Sequence, residues 1–316
     1  MVLKIITASL ENISSSTEKI LYPCAIALGN FDGIHKGHQQ VIQPIFKYSN
    51  LTPSLVTFIP HPQEFFTGIK KQLLTPIPEK CILLEKLGIK QLILLPFDRE
   101  LAHLSAEKFV EDILIKKINA KFISVGEDFC FGYQRQGNAK YLESLANKYN
   151  VKVSITKQQN LTIKKENVRI SSSSIRHSLS NGKPELATEM LGREYQIIGK
   201  VIEGKKLGRK IGFPTANLEI SSEKFLPKKG VYSVKVEVKN NHILSNLHGV
   251  MNIGTRPTIE GKNISVEIHL LDWKGDLYNQ ILTVKLLTFI RPEQKFSSLD
   301  ELKKQIKLDC QQLIIK

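Results

Sequence analysis

Ala25-Ile26-Ala27-Leu28-Gly29-Asn30-Phe31-Asp32-Gly33-Ile34-His35-Lys36-Gly37-His38 contains a change of period. Four apolar residues end at a glycine. From His35 onward the polarity is helical, with Val41, Ile42, Ile45 and Phe46 on one side. A short buried strand followed at once by an amphipathic helix is half of a βαβ unit. The alternation continues through the first 180 residues: 54–59, 92–95, 122–125 and 151–155 read as strands, and 79–87, 105–118 and 138–149 as helices. Strands separated by helices of that length predict a parallel sheet, with ligands at the carboxyl ends of its strands.

The pattern changes near Gly192. Residues 197–202, 231–238, 264–271 and 281–290 read as strands, with turn signals at 239–241, 260–263 and 274–276. That is an antiparallel arrangement, predicted as a small barrel. Ser298 with Glu301 three residues on has the spacing of a capping box and opens one amphipathic helix. Leu299, Leu302, Ile306 and Leu313 of that helix are expected to face the barrel. The chain thus reads as α/β plus β, with a first module at 1–185 and a second at 186–316, divided where Asn181-Gly182-Lys183-Pro184 punctuates it.

Composition bounds the function. The chain has 316 residues, 41% apolar and 24% charged, which suits two folded domains and excludes disordered or collagen-like classes. The net charge of +15 invites an anionic partner. It is spread evenly, however: 24 basic against 16 acidic residues up to 187, and 21 against 14 beyond. With aromatics at 7% and no basic arm, a nucleic-acid-binding face is not expected. Cysteines 24, 81, 130 and 310 form no C-x-x-C pair and read as reduced thiols. The opening segment lacks the apolar core of a signal peptide, and no apolar run approaches the roughly 20 residues of a membrane span. A soluble, cytoplasmic protein without a membrane partner is expected.

The turn after the first strand carries chemistry. A helix start presents unpaired N–H groups and a positive dipole end, and glycines let a phosphate approach the backbone. His35 and His38 are three apart and share one face there, where imidazoles can donate to phosphate oxygens. A histidine pair of this spacing also occurs as a structural or a metal pair. Zinc would need further ligands, for which His61 is the nearest candidate, with no cysteine cluster in support. Arg169-Ile170-Ser171-Ser172-Ser173-Ser174-Ile175-Arg176 opens a later helix. One serine suffices for a cap, so four between two arginines suggest a second phosphate contact.

Together these motifs resemble the class I nucleotidyltransferases. Thr57-Phe58-Ile59-Pro60-His61-Pro62 and Gly126-Glu127-Asp128-Phe129-Cys130-Phe131-Gly132 narrow the resemblance to the FMN adenylyltransferase module of bacterial bifunctional riboflavin kinase/FAD synthetases.

The second module contains Gly208-Arg209-Lys210-Ile211-Gly212-Phe213-Pro214-Thr215-Ala216-Asn217. Its glycines and proline fit an ordinary barrel turn. Its threonine hydroxyl and asparagine carbonyl can help organise Mg²⁺, a hard ion that takes oxygen ligands. Neither a Walker A loop nor a G-x-G-x-x-G fingerprint occurs, which excludes P-loop kinases and Rossmann dehydrogenases. In 264–271 Glu267 falls on the mixed face. A lone strand glutamate is usually solvated, but with this loop present it reads as a general base for a hydroxyl. The set resembles the riboflavin kinase module of the same family.

The resemblance covers about residues 20–310 and implies the rest. The first module becomes a Rossmann-like nucleotidyltransferase domain transferring AMP from ATP to FMN. The second becomes a barrel with a closing helix, phosphorylating riboflavin with ATP and Mg²⁺. His35 and His38 are implied to hold the ATP phosphates, with Gly29, Asp32 and Gly37 around them. Ser172, Ser173, Arg169 and Arg176 would take the phosphates and the leaving pyrophosphate, and Asp128 would position the flavin substrate. Gly208, Gly212, Thr215 and Asn217 would hold Mg²⁺-ATP, Glu267 would take the riboflavin proton, and Arg256 would lie near the flavin. The family often has Arg where this chain has Cys130, Thr where it has Ser173, and His-Gly-Asp where it has Glu203-Gly204-Lys205.

Overall fold

A computed structural model describes residues 3–8, 20–163, 166–204, 208, 212–240, 243–258, 261–273 and 275–314. The chain divides into two compact units, 1–172 and 173–316.

The first unit is built on strands β1 (Lys4–Thr7), β2 (Cys24–Leu28), β3 (Thr52–Ile59), β4 (Gln91–Pro96) and β5 (Ala120–Gly126). A short hairpin, β6 (Cys130–Phe131) and β7 (Gly137–Asn138), precedes β8 (Lys152–Thr156) and a second hairpin, β9 (Asn160–Ile163) and β10 (Glu166–Arg169). The helices are α1 (Lys36–Ile42), α2 (Pro62–Thr67), α3 (Ile77–Lys86), α4 (Arg99–His103), α5 (Ala106–Lys108, running on as a π-helix over Phe109–Lys117) and α6 (Ala139–Asn147). The main sheet is parallel, in the order β1-β4-β3-β2-β5-β8.

Period-2 alternation explains why β2 is buried throughout. Ala25 and Ala27 join Leu55, Leu92 and Leu94 in one core, while Cys24, Ile26 and Leu28 join Val56, Ile93 and Ile123 in the other. Each fully buried aliphatic side chain contributes about 1.5–3 kcal/mol of transfer free energy. The helix expected from His35 stops sooner than its polarity suggests. Pro44 has no N–H to give the preceding turn, so α1 ends at Ile42 and a 3₁₀ turn follows over Gln43–Lys47. Asn138 caps α6 through its Oδ1, which accepts from the Tyr141 N–H at 2.9 Å.

In the second unit come α7 (Ser172–Ser180, starting at the division), α8 (Pro184–Leu191) and six strands: β11 (Gln196–Ile202), β12 (Ala216–Ile220), β13 (Gly230–Asn240), β14 (Ile243–Thr258), β15 (Gly261–Leu270) and β16 (Ile281–Arg291). They close into an antiparallel barrel in the order β11-β12-β15-β14-β13-β16. β12 and β14 are absent from the sequence reading, which took the start of β12 for a turn. Helix α9 (Leu299–Ile314) packs Ile306 and Cys310 on Val231 and Val250. Ser298 caps it, but Glu301 reaches back to the N–H of Ser297 rather than Ser298. Leu299 does not face the barrel: it is 61% exposed, because the first turn of α9 lies outside the patch that Ile306 and Cys310 cover. The Leu313 side chain lies outside the described residues.

Candidate functional site

Parallel sheets bind ligands where the strand order reverses, outside the carboxyl ends. Here the chain runs from β2 to β3 and β4 on one side and then returns to place β5 on the other side of β2. β2 ends at Leu28 and β5 at Gly126, so the 29–38 turn and Asp128 stand at the switch point.

The turn is unusual in its backbone. Phe31, Gly33 and Ile34 all have positive φ, at 48°, 92° and 41°. For non-glycine residues this conformation is costly and needs support. Thr57 Oγ and Lys80 Nζ both donate to the Asn30 carbonyl, at 3.1 and 3.0 Å. Thr75 Oγ accepts from Gly33 N–H at 2.8 Å, and Asp32 Oδ1 accepts from Thr75 N–H at 3.1 Å. Ser172 Oγ donates to the Asp32 carbonyl at 2.8 Å, tying the serine-rich motif to the turn. Asp32 is buried and braces the turn from within.

His35 caps α1: its Nδ1 accepts from the His38 N–H at 3.2 Å. An accepting Nδ1 leaves the neutral ring's proton on Nε2, as a donor. The two imidazoles stack with centroids 3.6 Å apart at 16°. Gly37 permits this, since a Cβ there would come within 3.3 Å of the His35 ring. Gly29 in turn lies against the Phe31 ring, 3.3 Å from where a Cβ would sit. Asp128 and Arg169 pair with each other at 2.9 Å, both side chains more than half exposed. Ser173 and Arg176 belong to the second compact unit, where the Arg176 guanidinium lies 5.7 Å from the Phe225 ring centre.

In the barrel, the strand register decides the arrangement. Asn217 on β12 and Asn252 on β14 both pair opposite Glu267 on β15, so the three lie in one row across adjacent strands. Thr215 Oγ donates to Glu267 Oε2 at 3.4 Å. Asn217 is buried, and its amide packs on Gly204, where a Cβ would fall 2.0 Å from Nδ2. Gly208 accepts from the Phe213 N–H at 2.9 Å and sits where a Cβ would meet the Phe213 carbonyl at 2.3 Å. Gly212 has φ +85°. His269, two residues beyond Glu267 on the same face, donates from Nδ1 to the Pro214 carbonyl at 2.8 Å and meets Phe213 edge-on at 5.2 Å. Residues 205–207 and 209–211 and the Arg256 side chain lie outside the described residues; the Arg256 backbone is in β14.

A groove of about 460 Å³ opens beside α9, lined by Gln294, Lys295, Phe296, Lys304, Gln305 and Leu308 among others. Among the described residues no cluster of three or more His, Cys, Asp or Glu side chains is arranged to hold a metal. The sequence reading missed Lys80, Thr75, Asn252 and His269. A helix lysine at the start of α3 carries no local signal, whereas His269 could have been found from its place two residues after Glu267 in an alternating strand.

A family model described as FAD synthetase matches residues 17–174, and one described as riboflavin kinase matches 191–314. A Haemophilus influenzae protein named bifunctional riboflavin kinase/FMN adenylyltransferase is 39% identical over 94% of this chain and 95% of its own length. The chain belongs to this family. The Escherichia coli K12 member is 38% identical over 95% of this chain and 94% of its own. A Streptococcus pneumoniae crystal structure, described as a macrolide-efflux protein, superposes with a TM-score of 0.82 at 30% identity, over 97% of this chain and 98% of that one. Among the described residues here, no helix is long and apolar enough to cross a membrane. The family's two activities, a riboflavin kinase and an FMN adenylyltransferase, are both transferases, with the FAD synthetase module first and the kinase second.

Proposed function

We propose that the row Asn217–Glu267–Asn252, with Thr215 against Glu267, performs the kinase reaction, and that the turn ending in His35 and His38 performs adenylyl transfer. The chain makes FMN from riboflavin and ATP in its second module, and FAD and pyrophosphate from FMN and ATP in its first.

In the kinase step, Glu267 takes the proton from the riboflavin 5′-hydroxyl as that oxygen bonds to the γ-phosphorus and the bond to the β-phosphate oxygen breaks, releasing ADP. The Thr215 hydroxyl and the Asn217 carbonyl offer oxygen donors, which suit Mg²⁺ bound mainly through the nucleotide's phosphates. When bound there, the ion would neutralise charge on the transferring phosphoryl group. Gly208 and Gly212 give the loop its close turn beside the ATP phosphates. The groove beside α9, with Arg256 on β14, is the region assigned to the flavin ring. Its size is in the range of small-molecule sites.

In the adenylyl step no covalent intermediate is needed. A phosphate oxygen of FMN attacks the α-phosphorus of ATP, and the bond to the pyrophosphate oxygen breaks. His35 and His38 donate to the charge that develops, Gly29 and Gly37 admit the phosphates close to the backbone, and Asp32 holds the turn. Arg169 pairs with the leaving pyrophosphate and Asp128 orients the flavin substrate. Ser172, Ser173 and Arg176 are assigned to phosphate contacts by their motif. The functional boundary is put between 185 and 186, within the gap left by the two family matches. Dispersed basic charge and four free cysteines support a cytoplasmic enzyme with no nucleic-acid partner.

The test is an endpoint chromatogram of riboflavin, FMN and FAD after incubation with ATP and Mg²⁺. Asn217→Ala is expected to abolish FMN formation while FAD formation from supplied FMN survives, and His38→Ala to do the reverse. Loss of both activities in either variant refutes two separate sites.

A further inference from the structure

Lys80 is a buried lysine that the reactions above do not use. It lies on α3 with 4% of its surface exposed. Burial draws its ammonium below the ordinary lysine value, and Asp32, itself buried, is the main opposing influence. A charge is kept in such a place only when it is paired and hydrogen-bonded. Its Nζ spends a hydrogen bond, at 3.0 Å, on one backbone carbonyl, that of Asn30.

That carbonyl is the last point of ordinary backbone before the strained turn. Phe31, Gly33 and Ile34 follow with positive φ, and His35 caps α1 directly after them. A carbonyl oxygen has two acceptor positions. Here Thr57 from β3 and Lys80 from α3 take both. The Asn30 peptide is therefore fixed from two elements, and the direction in which the chain enters the turn is fixed with it. The imidazoles of His35 and His38 stand at the far end of that lever.

We infer that Lys80 is a positioning residue of the adenylyl-transfer site, acting through the Asn30 carbonyl to hold the turn that presents His35 and His38. The inference rests on assigning adenylyl transfer to that turn. Lys80 touches no reacting atom. Its effect falls on the alignment of donors with a developing charge, where small displacements weigh on turnover more than on binding.

The experiment uses the full chain, supplied with FMN and ATP and followed by FAD formation. Riboflavin phosphorylation in the same preparation reports that the second module is folded, and the thermal unfolding transition of the sheet module reports that the first is. Lys80→Met keeps the side chain's length and removes its donors. It is expected to lower kcat for adenylyl transfer by about 10- to 100-fold, the order that a displacement of about 1 Å costs. KM for ATP should move less than about threefold, with kinase turnover unchanged. Thr57→Val removes the other donor to the same carbonyl and is expected to lower kcat in the same direction. Because both act on one peptide, the double variant should lose less than the product of the two single losses. A Lys80→Met kcat within about twofold of the parent overturns the inference, as does a double variant whose losses simply multiply. If Lys80→Met fails to fold in the first module, Thr57→Val decides: parental turnover there rules out control through Asn30. His38→Ala separates the two levels. Retained adenylyl transfer in His38→Ala refutes the site assignment itself, whereas its loss there alongside parental Lys80→Met turnover refutes only the role of Lys80.

Discussion

The two modules hold their candidate site segments in different ways. In the parallel sheet the 29–38 turn leaves the carboxyl end of a central strand, so neighbours on several sides can reach it. Thr57 on β3, Thr75 and Lys80 at α3, and Ser172 at α7 each bond to it. In the barrel the 208–217 segment leads into a strand, and side chains of that strand's neighbour β15, Glu267 and His269, bond to Thr215 and Pro214. A sheet can thus sustain a strained backbone at a helix start, where the proposed adenylyl site lies. A barrel strand instead presents its polar side chains in a row, where the proposed kinase site lies, and the preceding segment leans on them.

Removing a side chain of the barrel row should therefore cost the most. Glu267→Gln keeps a partner for Thr215 but cannot accept the hydroxyl proton. Kinase kcat is expected to fall about 10²- to 10⁴-fold, the range of general-base contributions, with riboflavin KM little changed and FAD formation from FMN intact. Rates of FMN appearance measure it, and unchanged turnover would remove Glu267 as the base. Next is the pin beneath α9. Arg291 makes a two-pronged pair with Asp309, at 3.0 and 2.8 Å, and Asp309 is 1% exposed. Asp309→Ala leaves the guanidinium without its partner, and breaking a buried pair costs about 3–5 kcal/mol. Thermal unfolding should show the barrel module melting earlier while the sheet module keeps its transition. A single joint shift of both would mean the modules are not energetically separate.

How far the sequence reveals this contrast depends on the range of the interactions. The strand–helix alternation is a local pattern and read correctly from neighbouring residues, as did the position of the turn after β2. The start of β12 misled, because Pro214-Thr215-Ala216-Asn217 has the composition of a turn, yet its pairing with β15 places Asn217 in a strand, opposite Glu267. β14 was missed for a similar reason: Gly249, Gly254 and Pro257 look like breaks, but Gly249 and Gly254 are where the His269 carbonyl and the Glu293 carboxylate come close. Leu299 fits the periodicity of α9, but where along a helix the packing begins is set by the partner surface. Lys80 lies 50 residues from the carbonyl it holds, beyond any local pattern.

The smallest expected effects compare one tie from each loop directly. Thr75→Val removes the acceptor for the Gly33 N–H, which is buried. An unsatisfied buried donor costs about 1–3 kcal/mol, so the sheet module should melt earlier and FAD formation should fall with it. His269→Ala removes the donor to the Pro214 carbonyl on a half-exposed face, where water can take its place. The net loss should then be about 1 kcal/mol or less, seen as a shift of a few degrees in the melting of the barrel module. Parallel melting curves and FMN and FAD rates on the two variants decide the matter. A His269→Ala loss as large as that of Thr75→Val would mean the barrel loop is as tightly determined as the turn, and that the difference between the modules lies in the number of ties rather than in their burial.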